Sequence, residues 1–398
     1  MDVLISGASV AGPVLAYWLR RRGFFPVVVE RTPRPRLGLG GHAVDLFEPA
    51  MEVASRMGLV SALREARTES ELLVLERPGR PAAELRLNAV VPAFDDDKHV
   101  EILRGELATI LHGVTRDDVE YRFGDSIRTL AEDATGVDVT FESGETRRFD
   151  LVVGADGLHS RVRELVFGPE SEFRHDLGGY FAVFSLPNYR RLVGKIVLHL
   201  DVNRMAAVYP VRQTKDARAV LMFRSDTTSQ PDHRDVAAQR ELVRKTYAGQ
   251  EWELPRLLAA MDDADDFYLD TISQIRMPSW SRGRVVLVGD AGYSPGPAVG
   301  GGTTLAMVAA YVLAHALEEA DGDHANAFAV YESRIRDYVR LCRDAAPRVL
   351  RNGVPRNRVH RAIAETSLRL LPRLPDRVRS RILAGGISGA LSSFALPE

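Results

Sequence analysis

The chain has 398 residues, of which 45% are hydrophobic and 27% charged, values ordinary for a globular protein of about two or three domains with a large core. A formal net charge of −2 gives no electrostatic case for nucleic acid. The single cysteine, Cys342, excludes an intramolecular disulfide and any multi-cysteine metal cluster.

No apolar run approaches the ~20 residues of a membrane span. The first residues, DVLIS, read directly as a strand, with no room for a signal peptide. A cytoplasmic enzyme without a metal is the class these facts favour.

Asp2–Ser6 is a short apolar strand, followed by Gly7-Ala8-Ser9-Val10-Ala11-Gly12 and a helix over 13–22 that Gly23 breaks. Pro26-Val27-Val28-Val29-Glu30 is a second strand. A βαβ unit with a glycine turn and an acid ending its second strand suits a dinucleotide. The pyrophosphate sits at the helix N-terminus and the acid, Glu30, meets a ribose hydroxyl. Ser9 occupies the middle glycine position, and the plainer alternative is a structural turn in a generic α/β protein. The basic segment 31–36 is a solvated loop or a phosphate contact through Arg31. A glycine stretch over 38–41 leads through His42-Ala43-Val44-Asp45-Leu46 to a helix over 49–57.

Segments 72–76 and 83–87 read as strands around a PGRP turn, leaving the βαβ rhythm. Val100–Leu103 is a strand running into a helix that begins at Arg104. A cation opposes the dipole at a helix start, so a phosphate partner is its more economical explanation. Segments 119–123, 127–130 and 137–141 alternate and suggest an antiparallel meander. The valine-rich strand 150–154 ends in Ala155-Asp156-Gly157, and Ser160 caps a helix carrying Arg161 and Arg163.

Four strand candidates follow, at 180–186, 195–200, 205–211 and 218–224, forming a mostly antiparallel sheet. Residues 235–261 read as helical, and 267–276 leads back. Over 284–317, Val285 to Val288 form a buried strand, Gly289-Asp290 closes it, and a loop carries Pro295, Gly296 and Pro297. Gly300, Gly301 and Gly302 then open an apolar helix. A carboxylate beside a helix start stripped of side chains suits a polar cofactor; the bland alternative is a buried strand and helix joined by a loop. A helix over 325–345 precedes a tail with ten arginines against Glu365, Asp376 and Glu398. There, Val359, Ile363, Leu370 and Leu371 suggest an amphipathic helix capping the body, with an interfacial membrane helix as the alternative.

GASVAG with Glu30, GADG with Ser160 and Arg163, VGDAG followed by Pro297 and the three glycines, and Arg104 together resemble the flavoprotein aromatic hydroxylases. These are the para-hydroxybenzoate hydroxylase-like FAD monooxygenases, and the resemblance covers about 1–345. The segment GGHAVDL is similar to the flavin-proximal segment of tetracycline-inactivating members. Pattern and resemblance give an α/β fold: a Rossmann-like FAD-binding domain (1–70, 100–178, 277–345), an inserted, mostly antiparallel β-sheet substrate domain (71–99, 179–276) and a C-terminal helical segment (346–398).

The resemblance implies that Gly7, Ser9, Gly12 and Glu30 hold the ADP part of FAD and that Arg104 contacts its chain. Asp156-Gly157 would support the pyrophosphate region and NAD(P)H use, Asp290 the ribityl–pyrophosphate contact, and Asp45 the flavin. Pro297, Gly300, Gly302 and Thr303 would face the isoalloxazine ring, where helix N–H groups favour the charge of reduced flavin. The implied activity is NAD(P)H-driven reduction, O2 addition to a flavin C4a-(hydro)peroxide, and hydroxylation of an aromatic or polyketide-like small molecule.

The residues Tyr180, Phe181, Phe184, Met205, Tyr209, Met222 and Phe223 are candidates for a pocket roof. No catalytic side chain is assigned; His42 and Tyr293 are candidate bases, each more simply structural. Gly292-Tyr293 stands where many members have Ala-His, and only the second of the usual two prolines is kept, so the substrate is not carried over. The alternatives are a flavin-dependent reductase or dehydrogenase of a lipid-like substrate and a non-catalytic FAD-binding protein. The isolated Trp18, Trp252 and Trp280 argue against a flavin halogenase.

Overall fold

Val3, Leu4 and Ile5 are fully buried, as are Leu151, Val152 and Val153. A strand apolar on both faces needs cover on both, which parallel pairing with crossover helices supplies. In the computed structural model, Asp2–Ser6 accordingly pairs in parallel with Phe25–Glu30 and Leu151–Gly154. The six-stranded sheet runs Ser281–Arg282, Val285–Leu287, Leu151–Gly154, Asp2–Ser6, Phe25–Glu30, Glu120–Phe123. The residues described are 1–35, 41–90, 94, 98–212, 214–225, 235–297, 300–375, 378–379 and 391–398. The glycine stretch at 38–40, the turn residue Gln213 and the glycine-rich run near the C-terminus lie outside them.

One strand differs from the sequence expectation. Glu120–Phe123 pairs in parallel with Phe25–Glu30 at the sheet edge and does not join the meander. The helix Arg104–Gly113 precedes it by a short turn, so the chain returns in the direction it left. Alternation alone does not distinguish a parallel edge strand from an antiparallel one. The meander is instead Ile127–Glu132, Val137–Phe141 and Thr146–Phe149.

The second large sheet has seven strands, in the order Tyr268–Ile275, Arg174–Pro187, Asp216–Arg224, Arg204–Pro210, Lys195–Asp201, Leu72–Arg77, Arg80–Arg86. All its pairings are antiparallel except Lys195–Asp201 with Leu72–Arg77. Among the bonds that join it to the other body, Ala43 N donates to Tyr209 Oη at 3.0 Å, and Arg218 Nε donates to Gly41 O at 3.0 Å. The helices Val236–Tyr247 and Leu254–Asp263 bury one face of this sheet.

Gly302–Glu319 is apolar nearly all round and is buried accordingly. The next helix, His324–Gly353, continues past the expected end at 345 and contains Pro347. Proline removes the bond to the carbonyl four residues earlier. That carbonyl, Arg343 O, accepts from Gln274 Nε2 at 2.8 Å instead. A side chain from a distant strand therefore lets the helix run on.

Arg358–Leu370 is helical, as expected, but its orientation is not that of a simple cap. Ala364 and Leu368 pack against the leucines of the sheet end, and Glu365 is buried. Val359, Ile363 and Leu370 are exposed.

Candidate functional site

The loops after the parallel strands meet at their carboxyl ends, the usual ligand side of such a sheet. Gly7 has φ +110°, and a Cβ on it would strike the Ala155 backbone. A Cβ on Gly12 would collide with the Gly7 carbonyl. The Glu30 carboxylate accepts from Ala8 N at 3.1 Å and from Thr32 N and Oγ1 at 3.0 Å, fixing it at the strand end. The helix Ala11–Arg21 has no side-chain cap and no acid in its first turn, so its N–H groups face the loop. Elsewhere Asp235, Asp323 and Asn357 cap their helices.

Arg104 Nε and Nη2 donate to Ser9 Oγ at 3.1 and 2.9 Å. The serine at the middle glycine position thus holds the guanidinium over the loop. Arg31 is exposed at the end of the second strand.

Asp290 begins the short helix Asp290–Tyr293 after Gly289, whose φ is +69°. A Cβ on Gly289 would touch both Ala306 and Ala11, so this turn lies against the first helix. Burial raises the Asp290 carboxyl pKa, opposed by Arg104 and by a bond from Ser294. A Cβ on Gly302 would lie 3.7 Å from Asp290 Oδ1, and one on Gly300 would lie 2.8 Å from Asp45 Oδ2. Gly302–Glu319 likewise starts without a cap or an acid. Thr303 lies in its first turn, and Pro297 is exposed beside it. Thr304 Oγ1 donates to Asp45 O at 3.1 Å and accepts from Phe47 N at 3.0 Å.

Asp45 Oδ1 lies 2.9 Å from His99 Nε2. Glu101 sits opposite Asp45 in the pairing of Ala43–Leu46 with Val100–Leu103. Burial and then the Asp45 charge push the Glu101 pKa up to about 7. Reading the strand only as the approach to Arg104 missed both His99 and Glu101.

Asp156 is less available than the resemblance implies. Its oxygens accept from Ser160 Oγ at 2.5 Å, Arg161 N at 2.9 Å and Val162 N at 3.1 Å. It braces the start of Arg161–Phe167 while its backbone supports Gly7. The fully buried Arg163 donates to Ala291 O at 2.8 Å and to Glu170 Oε2 at 2.8 Å, joining the second motif to the third.

His159, in the same motif, bridges the two bodies. Its Nδ1 lies 3.1 Å from Glu170 Oε2 and its Nε2 lies 3.0 Å from Asp270 Oδ2, to which Tyr268 also donates. The one sequence signal for this was an acid, Asp270, inside an otherwise uncharged strand. Bonds to Asp270 and Glu170 raise the imidazole pKa from 6.5 to about 9. A raised folded-state pKa stabilises fully below the unfolded value and is lost as pH climbs through the folded one. Stability should therefore fall by about 2 kcal/mol between pH 6.5 and 9, after allowing for solvent screening at this partly exposed position. Melting temperatures across that window should show the slope in the native protein and a flatter profile in His159→Gln.

Neither candidate base is well placed. Burial and Arg104 lower the His42 pKa to about 4, too weak a base to take a phenolic proton of ordinary acidity. Tyr293 is fully buried, shares a hydrogen bond with Tyr331 Oη and packs on Trp280, its ring centroid 4.5 Å away. The expected roof residues also divide. Phe181, Met205 and Met222 lie on the sheet face toward His42 and the end of the long helix. Tyr180, Phe184 and Phe223 belong to the core beneath the other face.

A sequence model of the FAD binding domain family matches residues 1–352. The chain belongs to this family. It is a FAD-dependent monooxygenase of the aromatic hydroxylase type. A flavin-dependent monooxygenase from Legionella longbeachae is 36% identical over 92% of each chain. An uncharacterised protein of Mycobacterium tuberculosis is 43% identical over 85% of this chain and 90% of its own length. Among solved structures, the tetracycline destructase Tet(51) superposes with a TM-score of 0.85 at 33% identity, covering 100% of this monooxygenase and 99% of that chain. Klebsiella pneumoniae HpxO, solved with FAD and uric acid, matches with a TM-score of 0.76 at 22% identity, covering 98% of this chain and 96% of its own, and shares the fold.

Proposed function

We propose that the residues from Gly7 to Thr303 described above hold FAD and that the enzyme uses NAD(P)H and O2 to hydroxylate an aromatic or polyketide-like molecule. One observation carries the assignment. Two uncapped helix starts, two carboxylates and one arginine converge where side chains at Gly7 and Gly12 would collide with backbone. This donor set fits the cofactor: Glu30 for a ribose hydroxyl, the Gly7 loop and Arg104 for pyrophosphate, and Asp290 for the ribityl hydroxyls. Asp45, Gly300, Gly302 and Thr303 would border the ring, with Pro297 and Arg31 at the margins of the site.

Bound FAD supplies the redox chemistry, taking hydride and delivering an oxygen atom. The chain orients it, excludes water and places N–H dipoles at the start of Gly302–Glu319, where negative charge develops. We assign residues 1–70, 100–178 and 277–345 to the FAD-binding domain and 71–99 with 179–276 to the substrate domain. Phe181 and Met222 would meet a flat substrate, and the likeness to tetracycline destructases favours a polycyclic one.

The purified protein should be yellow. NADPH oxidation and O2 uptake should rise with at least one member of a panel of phenols and polycyclic polyketides, giving a product heavier by one oxygen. A colourless protein that takes up no added FAD overturns the proposal.

A further inference from the structure

Val359, Ile363 and Leu370 fall within about 40° of one another around the helix Arg358–Leu370. They are 66%, 58% and 48% exposed. The helix is held to the body by its opposite side, where Leu368 packs inward and Arg77 reaches the buried Glu365 at 3.1 Å. Its only acid is therefore turned away from the exposed ridge.

Cations lie along one flank of the helix, about 100–120° around it from the centre of that ridge. Arg356 and Arg358, together with Arg204 and Arg361, line a cleft of about 760 Å³ beside the 201–204 turn. Arg361 is engaged by Asp201 at 2.5 Å, whereas the guanidinium groups of Arg356 and Arg358 are exposed and have no partner among the described residues. Arg369 donates to the Pro81 carbonyl and has no acidic partner among the described residues.

An apolar ridge alone would suit several partners; exposed arginines along one flank of it narrow the choice. Guanidinium groups match phosphate oxygens, and aliphatic side chains match the acyl boundary just below them. A phospholipid surface presents both in one plane. A second copy of this chain would bring the same positive flank near this one, which disfavours self-association through the face. We propose that this face docks the enzyme on an anionic phospholipid surface, the helix lying in the interface. No helix among the described residues is long and apolar enough to cross a membrane, so the contact is peripheral. Such a contact gains both from apolar burial and from about fivefold in affinity per arginine near the surface, and it weakens with salt.

The test is co-sedimentation of the FAD-loaded, full-length protein with phosphatidylcholine vesicles, with and without phosphatidylglycerol. Binding to the anionic vesicles should be at least about tenfold tighter and should fall as salt is raised. Val359→Ser/Ile363→Ser/Leu370→Ser and, separately, Arg356→Glu/Arg358→Glu should each lose at least about tenfold. Both variants should keep flavin content and melting temperature, since every altered side chain is exposed. Equal binding to both vesicle types, no binding at low salt, or unchanged binding by folded variants overturns the proposal. So does a halved solution mass in the serine variant, which would make the ridge a dimer face. Thermal stabilisation by inorganic triphosphate without vesicle binding also overturns it, assigning the cleft to a free phosphate compound.

Discussion

Gly12→Ala should fold and purify without flavin. The added methyl would meet the Gly7 carbonyl oxygen inside any permitted contact, with the Ile5 side chain 3.3 Å away on another side. Gly7 is pinned, because its N–H donates to Val29 O at 2.8 Å in the body of the sheet. The strain is therefore relieved by moving the start of Ala11–Arg21, the part that presents N–H groups to the cofactor. Overpacking of this kind costs about 1–3 kcal/mol of stability. Binding suffers more, because a displacement of about 1 Å misaims several donors together; FAD affinity should fall at least about 100-fold. Gly113→Ala is the control: it lies in a helix like Gly12 and without a positive φ, but its Cβ would meet nothing within 4 Å. Flavin absorbance after gel filtration, with fluorescence titration of added FAD, measures both variants. A Gly12→Ala protein that keeps stoichiometric flavin would show that this loop does not carry the pyrophosphate.

The parts of the fold legible from the sequence were those governed by local rules. Val3 to Ile5 and Leu151 to Val153 announced a sheet buried on both faces, and Ser160 announced a helix start, which its side chain caps by accepting from Arg163 N at 3.0 Å. What could not be read depended on partners far away in the chain. The helix expected over 325–345 runs on through Pro347 because its compensation comes from Gln274, far away in the chain. The helix after Arg358 showed an amphipathic pattern, but periodicity does not say which side meets the body. Leu368 and the Arg77–Glu365 pair decide that, against the more hydrophobic stripe. In the site, motif spacing located Ser9, Glu30, Arg104 and Asp290 within one cluster. The polar network of His159, Glu170 and Asp270 escaped, because it exists only once the two sheets are docked.

Arg104→Ala should separate cofactor affinity from folding more cleanly than any other change in the site. Arg104 opens a helix, where a positive charge opposes the dipole, so its loss should leave the apoprotein melting temperature unchanged or slightly raised. Its guanidinium is exposed and, among the described residues, hydrogen-bonded only to the neutral Ser9 hydroxyl, which leaves its charge available to a phosphate. A charge-assisted hydrogen bond of this kind contributes about 1.5–3 kcal/mol, so FAD should bind about 10- to 150-fold more weakly. The salt dependence of binding should flatten as well, because one ionic contact has gone. Arg104→Lys should recover only part of the loss, since lysine keeps the charge without the planar fork. A second readout is independent of FAD. Arg104 holds the His42 pKa down and opposes the rise at Asp290, so in the apo variant both groups should titrate at higher pH. NMR titration of the His42 imidazole would follow this. If FAD affinity stays within about twofold while His42 shifts upward, Arg104 shapes the field of the site without touching the cofactor, and the pyrophosphate must rest on the Gly7 loop and the helix start alone.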